Sequence, residues 1–585
     1  MTFFEELRQR RVIRAIAGYG VASFAILQVV EPIMHALRLP DATLTFSVVA
    51  LGLGFPLVVV LAWAFDLSAA GVERTPSSLP RRGWLTRARL LLLLVGIGLL
   101  AGAPGFALYF IAFRPGPVAE PPTPLPKITT PSVAVLPFVD LSPLKDQEYF
   151  SDGLAEEILN ALAQIDLLHV TGRTSSFSFK GKNEDLRTIA EKLRVGAVLE
   201  GSVRKEGSRI RITAQLINAS DGFHLWSQTF DRELIGVFAV QEEIARAVVA
   251  ALKVKLLPGE TPSTKGHRTD DPEAYSHYLI ARQLMNRANA GGFRGSMVAY
   301  EESLAIAPGY APAWAGLAFA AFYHSNLSAS PEEASKAARR ALFAAEKAVA
   351  LDPNLAEGYA ARSYLRAAIS WDWPGAESDI KRALSLSPGD AQGWRLFGLL
   401  QASLGRLPEA ISAVRKAAGL DPLSAETWDN LGYLYTAQHE LALARSASSR
   451  ALVLAPEQAY AAHHLGVVEL LEGKPQRALS LFERCGEEVF RLQGVAIAQS
   501  DLKHAQASEK ALDTLTARYA HNSAFQIAQV HAWRGDRDRA FEWLTRAFEQ
   551  RDGGLSLLRC DPLLAKLRSD PRYLELLRKV SLPIE

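Results

Sequence analysis

The chain has 585 residues, too many for a single hydrophobic core, so several domains are expected. Its 64 Lys+Arg against 62 Asp+Glu leave a formal net charge of +2, which offers no electrostatic footprint for nucleic acid. Its two cysteines, Cys485 and Cys560, exclude a disulfide framework and a zinc site, and both are expected as free thiols.

Residues 1–113 differ in composition from the rest. Val12–Val30 is apolar apart from Arg14, Leu44–Phe65 is 22 residues without a charge, and Leu90–Phe113 is 24. A bilayer takes about 20 apolar residues to cross, so the three runs predict a three-span membrane anchor. Arg8, Arg10, Arg11 and Arg14 flank the first run, and Arg74, Arg81, Arg82, Arg87 and Arg89 lie between the second and third. Arginines favour the cytoplasmic side, which predicts an inner-membrane protein with everything after about residue 114 in the periplasm. Residues 114–131 hold seven prolines, a composition that favours an extended, semi-rigid linker.

Residues 132–257 predict a compact α/β domain. Ser132–Phe138 reads as a β-branched strand, Leu154–Ile165 and Leu186–Leu193 as amphipathic helices, and Lys205–Ser208 as a hairpin turn between two strands. His224–Phe230 is a further strand, and Gln241–Lys255 a closing helix. The runs Val135-Leu136-Pro137-Phe138, Tyr149–Leu154, Arg173-Thr174-Ser175, Glu200–Arg204 and Leu225-Trp226-Ser227 resemble the TolB-amino-terminal-like (FlgO-like) domain of bacterial envelope proteins. With the repeats described next, the chain is similar to a proteobacterial membrane-anchored tetratricopeptide-repeat architecture. Some relatives of that type carry a nucleotide cyclase or a winged helix at the amino terminus. Neither is expected here, because only about 11 residues precede the first apolar run. The resemblance implies an envelope interaction module and no particular chemistry.

Residues 271–554 carry a repeat. From Ala391, the residues Trp394, Phe397, Gly398, Ala410, Ala417 and Pro422 fall at positions 4, 7, 8, 20, 27 and 32. The next unit repeats them 34 residues on with Trp428, Leu431, Gly432, Ala444, Ala451 and Pro456; the third keeps Leu465, Gly466, Ala478 and Phe482. Large residues at 4 and 7 fill the space between two antiparallel helices. Small ones at 8 and 20 let the backbones approach, and Pro stops the second helix. This resembles the tetratricopeptide repeat. The unit from Ala311 is lengthened near Ser325–Pro331, and that from Ala356 has one extra residue around Trp371–Pro374. Residues 555–585 are expected to cap the last apolar face.

In such repeats positions 2, 5 and 9 line the concave side. Here they are Gln392, Arg395 and Leu399; Glu426, Asp429 and Tyr433; Tyr460, His463 and Val467. Mixed charge with aromatics suits a peptide or protein partner. Other constellations are weaker. Asp140, Asp146, Glu148 and Asp152 crowd one loop without calcium-loop order, so no metal is expected. Arg173–Ser176 with Lys180-Gly181-Lys182 could accept an anion, but a plain polar loop is the favoured account of them. No hydrolase, zincin or P-loop motif occurs, and neither a cofactor nor an enzymatic role is expected. The reading is therefore multi-domain: three transmembrane α-helices, a small α/β domain and an all-α tetratricopeptide-repeat solenoid. Its expected function is that of a membrane-anchored scaffold that binds proteins through Gln392, Arg395, Glu426, Asp429, Tyr433, Tyr460 and His463. The alternative is a transmembrane sensor whose α/β domain binds a small ligand.

Overall fold

The computed structural model of the protein describes residues 131–233, 237–254, 269, 271–287, 289–327, 331–456 and 459–584. It also describes strands 65–68 and 71–74 and the isolated positions Tyr19, Ala22, Ser23, Ile26, Leu51 and Val58. The chain divides into two compact units, Met1–Val118 and Ala119–Glu585.

In the first unit, β1 (Phe65–Ser68) and β2 (Gly71–Arg74) form an antiparallel hairpin with Ser68 opposite Gly71. The expected three-span anchor is corrected at this point. Among the described residues no helix is long and apolar enough to cross a membrane. Phe65, the expected end of the second span, is instead the first residue of a strand, where its backbone pairs with Arg74 rather than with its own helix. Apart from Phe65 and the isolated positions, the three runs lie outside the described residues, as does the proline linker up to residue 130. The integral-membrane, inner-membrane and periplasmic assignments rested on those runs and are withdrawn with them, together with the transmembrane-sensor alternative.

The second unit begins with a mixed sheet. Its strands are β3 (Ser132–Val135), β4 (Val139–Asp140), β5 (His169–Val170), β6 (Ala197–Glu206), β7 (Arg209–Asn218) and β8 (His224–Glu233). The order is β5-β3-β6-β7-β8, with β4 continuing the β3 side of β6. β3 runs parallel to β5 and β6, and β6-β7-β8 is an antiparallel meander whose first turn places Gly207 at φ 61°. Alternation along β7 sorts the faces: Ile210, Ile212, Ala214 and Leu216 are buried, while Arg211, Thr213 and Gln215 are not. The buried face is covered by α1 (Glu148–Ala163) and by α4 (Val237–Ala251). Two short helices, α2 (Arg173–Phe177) and α3 (Leu186–Leu193), complete the domain, α3 packing Ile189, Ala190 and Leu193 on Ala134 and Val198.

A run of antiparallel helix pairs follows. The first four pairs are α5 (Pro272–Met285) and α6 (Ala290–Ile306), α7 (Ala311–Leu327) and α8 (Pro331–Leu351), α9 (Ala356–Leu365) and α10 (Trp373–Leu386), and α11 (Ala391–Ser403) and α12 (Leu407–Leu420). The next four are α13 (Ala425–Ala437) and α14 (Leu441–Leu454), α15 (Ala459–Leu471) and α16 (Pro475–Glu483), α17 (Glu488–Asp501) and α18 (Ala505–Tyr519), and α19 (Ala524–Arg534) and α20 (Arg537–Gln550). Two 3₁₀ turns, Gly553–Leu557 and Pro562–Leu567, lead to α21 (Pro571–Lys579). The architecture is a tetratricopeptide-like solenoid joined to a small sheet domain.

Local chemistry accounts for the pairs. Gly398 on α11 faces Ala410 and Val414 on α12 so closely that a Cβ would lie 2.9 Å from the Ala410 carbonyl oxygen. The Trp at position 4 does more than fill space. The indole Nε1 atoms of Trp314, Trp394 and Trp428 donate to the carbonyls of Pro308, Pro388 and Pro422 at 2.9, 2.8 and 2.9 Å, tying each pair to the turn before it. The long unit from Ala311 spends its extra residues on longer helices, α7 and α8. The single extra residue in the next unit appears as a π-helical turn, Arg366–Ser370, closed by Trp371 at φ 54°.

Candidate functional site

The sheet domain lies along the edge of the solenoid formed by turns between successive pairs. Gly389 N donates to Ala163 O at 2.9 Å and Gly172 N to Leu420 O at 2.7 Å. Asn160 Nδ2 reaches Glu357 at 3.2 Å. Behind these contacts one core runs from the sheet through α1 into the first helix pairs, with Tyr275 stacked on Tyr278 at 6.1 Å between ring centroids. Arg282 forms ion pairs with Glu156 and with Glu157 (2.9 Å). Burial pushes the Glu157 carboxyl up to about 7, against the pull of Arg282.

The loop weighed for anion binding is spent on this joint. Ser175 N donates to Asp421 Oδ1 at 2.7 Å and its hydroxyl donates to the same oxygen, while Leu423 N donates to Ser175 Oγ at 2.8 Å. Arg173 pairs with Glu156 at 3.0 Å, and Lys180 with Asp152 and Glu148 at 2.5 and 2.6 Å. The protein's own carboxylates therefore occupy the seats an anion would take. In the acidic loop, Asp140 accepts from the backbone of Ser142 and Gln147, both at 2.8 Å. Among the described residues no group of three or more His, Cys, Asp or Glu is arranged to hold a metal.

On the concave side the expected groove residues separate into three rows. Position 2 is open: Gln392 and Glu426 are exposed, and Tyr460 is 45% exposed. Position 5 is closed, with Arg395, Asp429 and His463 only 7%, 2% and 5% exposed. Arg395 Nη1 lies 3.0 Å from Glu426 Oε1 and donates to Asn430 Oδ1 at 3.2 Å, and it also bonds to Tyr323. His464, next along, places Nδ1 2.8 Å from Asp429 Oδ1. At position 9, Leu399 and Tyr433 are half-buried and Val467 is buried. The Tyr433 hydroxyl lies 3.6 Å from Cys560 Sγ.

Neighbouring helices engage the position-5 row, and the carboxyl-terminal segment covers Tyr433 in the position-9 row. Expected as a lid on the last pair, it also reaches back along the concave face. Leu555, Leu558, Cys560, Leu564 and Leu567 are fully buried, and they join Trp373, Leu396, Leu400 and Tyr433 to α19 and α20. Trp373 Nε1 donates to Val580 O at 2.8 Å, and the Trp371 ring stacks on Phe548 at 5.4 Å. A buried hydrogen-bonded series crosses the interior. His463 Nε2 meets Gln493 Oε1 at 2.8 Å, Gln493 Nε2 donates to Gln529 Oε1 at 2.6 Å, and Gln529 Nε2 donates to Asp561 Oδ2 at 2.7 Å. Burial depresses the His463 imidazole to about 3, helped by neighbouring His464. For His464 burial pulls the same way, but the Asp429 carboxylate outweighs it and holds the ring above its ordinary value. Burial pushes Asp561 up to about 6 and the Cys560 thiol up to about 12. Neither cysteine is in a disulfide, and both are buried.

The sequence pattern missed Phe490, Tyr323 and Tyr364, which flank the open row. Phe490 meets Tyr460 edge-on at 5.1 Å. Its repeat is out of register with the 34-residue spacing, and no positional count reaches it.

Comparison with known proteins places these features. Residues 129–247 match the model of the HilA/YgeH-like transcriptional regulator, second domain. The chain is 39% identical over 260 residues to "Putative adenylate cyclase 3" of Rhizobium meliloti (strain 1021), covering 44% of this chain and 43% of that protein. The match thus spans less than half of the relative's length. The flat expectation that the chain has no enzymatic role does not survive this relative, whose name is that of a catalyst. Among solved structures it is similar to PilW, a type IV pilus biogenesis factor, at 20% identity and TM-score 0.30 over 34% of this chain and 91% of that one. It is also similar to Pseudomonas aeruginosa PilF, at 18% identity and TM-score 0.28 over 36% and 91%.

Proposed function

We propose that the protein is an interaction scaffold whose solenoid receives a partner along the open row of its concave face. The observation that carries this reading is the separation of the rows: Arg395, Asp429, Tyr433 and His463 are buried or half-buried and engaged within the chain, while Gln392 and Tyr460 stay open to a partner beside Glu426, which is exposed although it pairs with Arg395. Extended surfaces of this kind bind along their length, and a half-exposed aromatic ring beside a carboxylate is a common anchor at such interfaces. The sheet domain, fixed to the turn edge by Asp421 and Arg282, acts as the rigid support of the first four pairs. A photo-crosslinking amino acid at Gln392 or Tyr460, compared with one at exposed Ser412 on α12, tests the reading in cells. Defined adducts from the first two sites and not from Ser412 are expected; equal adduct patterns from all three would remove the groove.

A second reading follows from the 39% identical relative: catalysis of nucleotide cyclisation, as that protein's name states. Incubation of the full chain with ATP and a divalent cation, with cyclic AMP as the readout, decides it. Product above that of the heat-denatured chain supports catalysis, and none rejects it.

A further inference from the structure

Several aromatic rings of the solenoid carry cations from the chain itself. The Lys416 ammonium lies 3.8 Å from the Trp394 ring centre, and the Arg551 guanidinium 4.2 Å from that of Trp371. Arg572 lies 4.3 Å from Phe541, Arg546 5.0 Å from Trp543, and Lys566 5.2 Å from Trp533. Tyr460 and Phe490 are a paired set of rings without one. Among the described residues no side-chain cation sits over either ring, although Tyr460 is 45% exposed and Phe490 half-buried. The charges that bear on Tyr460 are acidic: Glu487, Asp429 and Glu426. Glu426 and Glu487 are exposed on either side of it, at the starts of α13 and α17. Of the guanidinium groups nearby, Arg395 lies beneath the surface and is engaged by Glu426 and Asn430, and Arg491, next to Phe490, is engaged by Glu488 and the Cys485 carbonyl.

We infer that Tyr460 and Phe490, flanked by Glu426 and Glu487, form the seat for a lysine or arginine of an extended partner segment. This deepens the scaffold reading above and rests on it. An electron-rich ring face attracts a cation, weakly at exposed sites and more strongly once water is excluded. Carboxylates on both sides add charge complementarity, which favours a basic segment and repels an acidic one. The occupant is a partner peptide that carries a basic residue. The chain's own carboxyl-terminal segment fills the adjoining position-9 row and leaves this one free.

The test uses the full chain and two synthetic nine-residue peptides of one alanine–glutamine host, one with two central lysines and the other with two central glutamates. With a photo-crosslinking phenylalanine at position 460, adduct yield with the lysine peptide should exceed that with the glutamate peptide at least tenfold and fall with added salt. In fluorescence anisotropy on the unlabelled protein, Tyr460→Ser and Phe490→Leu should each weaken lysine-peptide binding at least fivefold. Equal yields from both peptides, no binding of either, or binding unchanged in both variants would overturn the seat. If cellular partners still crosslink at Gln392 while the peptides show no preference, the cationic assignment alone is wrong. If cellular crosslinking fails as well, the scaffold reading falls with it.

Discussion

The close approach of paired helices makes a prediction whose sign depends on space alone. Gly398 and Gly419 both lie in helices, at the middle of α11 and near the end of α12. Replacing a helical glycine by alanine removes backbone freedom and should stabilise by about 1 kcal/mol. At Gly419 a new Cβ meets nothing within 4 Å, so Gly419→Ala should keep most of that gain. At Gly398 the same Cβ would stand 2.5 Å from Val414 Cγ2, 2.9 Å from Ala410 O and 3.3 Å from Val414 N. The last two are backbone atoms of the partner helix and cannot turn away, so the helices must separate. Overpacking of this kind costs about 1–3 kcal/mol and outweighs the propensity gain. Urea unfolding followed by circular dichroism should therefore move the midpoint down for Gly398→Ala and up for Gly419→Ala, at unchanged slope. A raised midpoint for Gly398→Ala would refute the account of position 8.

Three further outcomes are expected. Asp421→Ala leaves the buried Ser175 amide and hydroxyl without their acceptor and should lose about 2–4 kcal/mol, whereas Asp421→Asn, which keeps an acceptor oxygen, should lose less; thermal unfolding of both separates the cases. His463 is held neutral, its folded value of about 3 lying below the unfolded value near 6.5. The unfolded chain therefore binds a proton more readily between those limits, and stability falls as pH drops through that window, by up to about 1.4 kcal/mol per pH unit. His463→Gln should flatten the acid limb of a stability–pH curve, and an identical limb would contradict the assignment. Cys485 and Cys560 should resist a thiol reagent in the native protein and both react in urea, since each is buried and burial raises each thiol above its ordinary value.

The regular features of the solenoid were legible because they arise between neighbours. Gly398 and Gly432 mark backbone approach, and a repeat of 34 residues fixes which helix faces which. The indole bonds from Trp394 and Trp428 to the preceding prolines explain why Trp at 4 and Pro at 32 recur together, a link that spacing alone does not reveal. What the pattern could not give were contacts between residues far apart in the chain. Ser175 and Asp421 are 246 positions apart, and Tyr433 and Cys560 are 127 apart. A periodic count treats positions 2, 5 and 9 as equivalent, yet neighbouring helices engage the position-5 row and a later segment covers Tyr433 in the position-9 row. The apolar runs before residue 113 carried the reading furthest astray. Composition alone was taken to mean a bilayer, and Phe65 stands in a strand.

An array of helix pairs ordinarily behaves as a row of loosely independent units that can fray from either end. Here the last pair is fastened to the third through Trp371, Phe548, Trp373 and Val580, so the row is closed into a loop. Loss of one unit then releases the constraint on units at a distance, and unravelling from the carboxyl terminus is no longer a small local event. Clipping the chain before Ala524 removes the last pair with its contacts to Trp371 and Trp373, and should restore an end that can fray and turn a single sharp melting transition into a broad or stepped one.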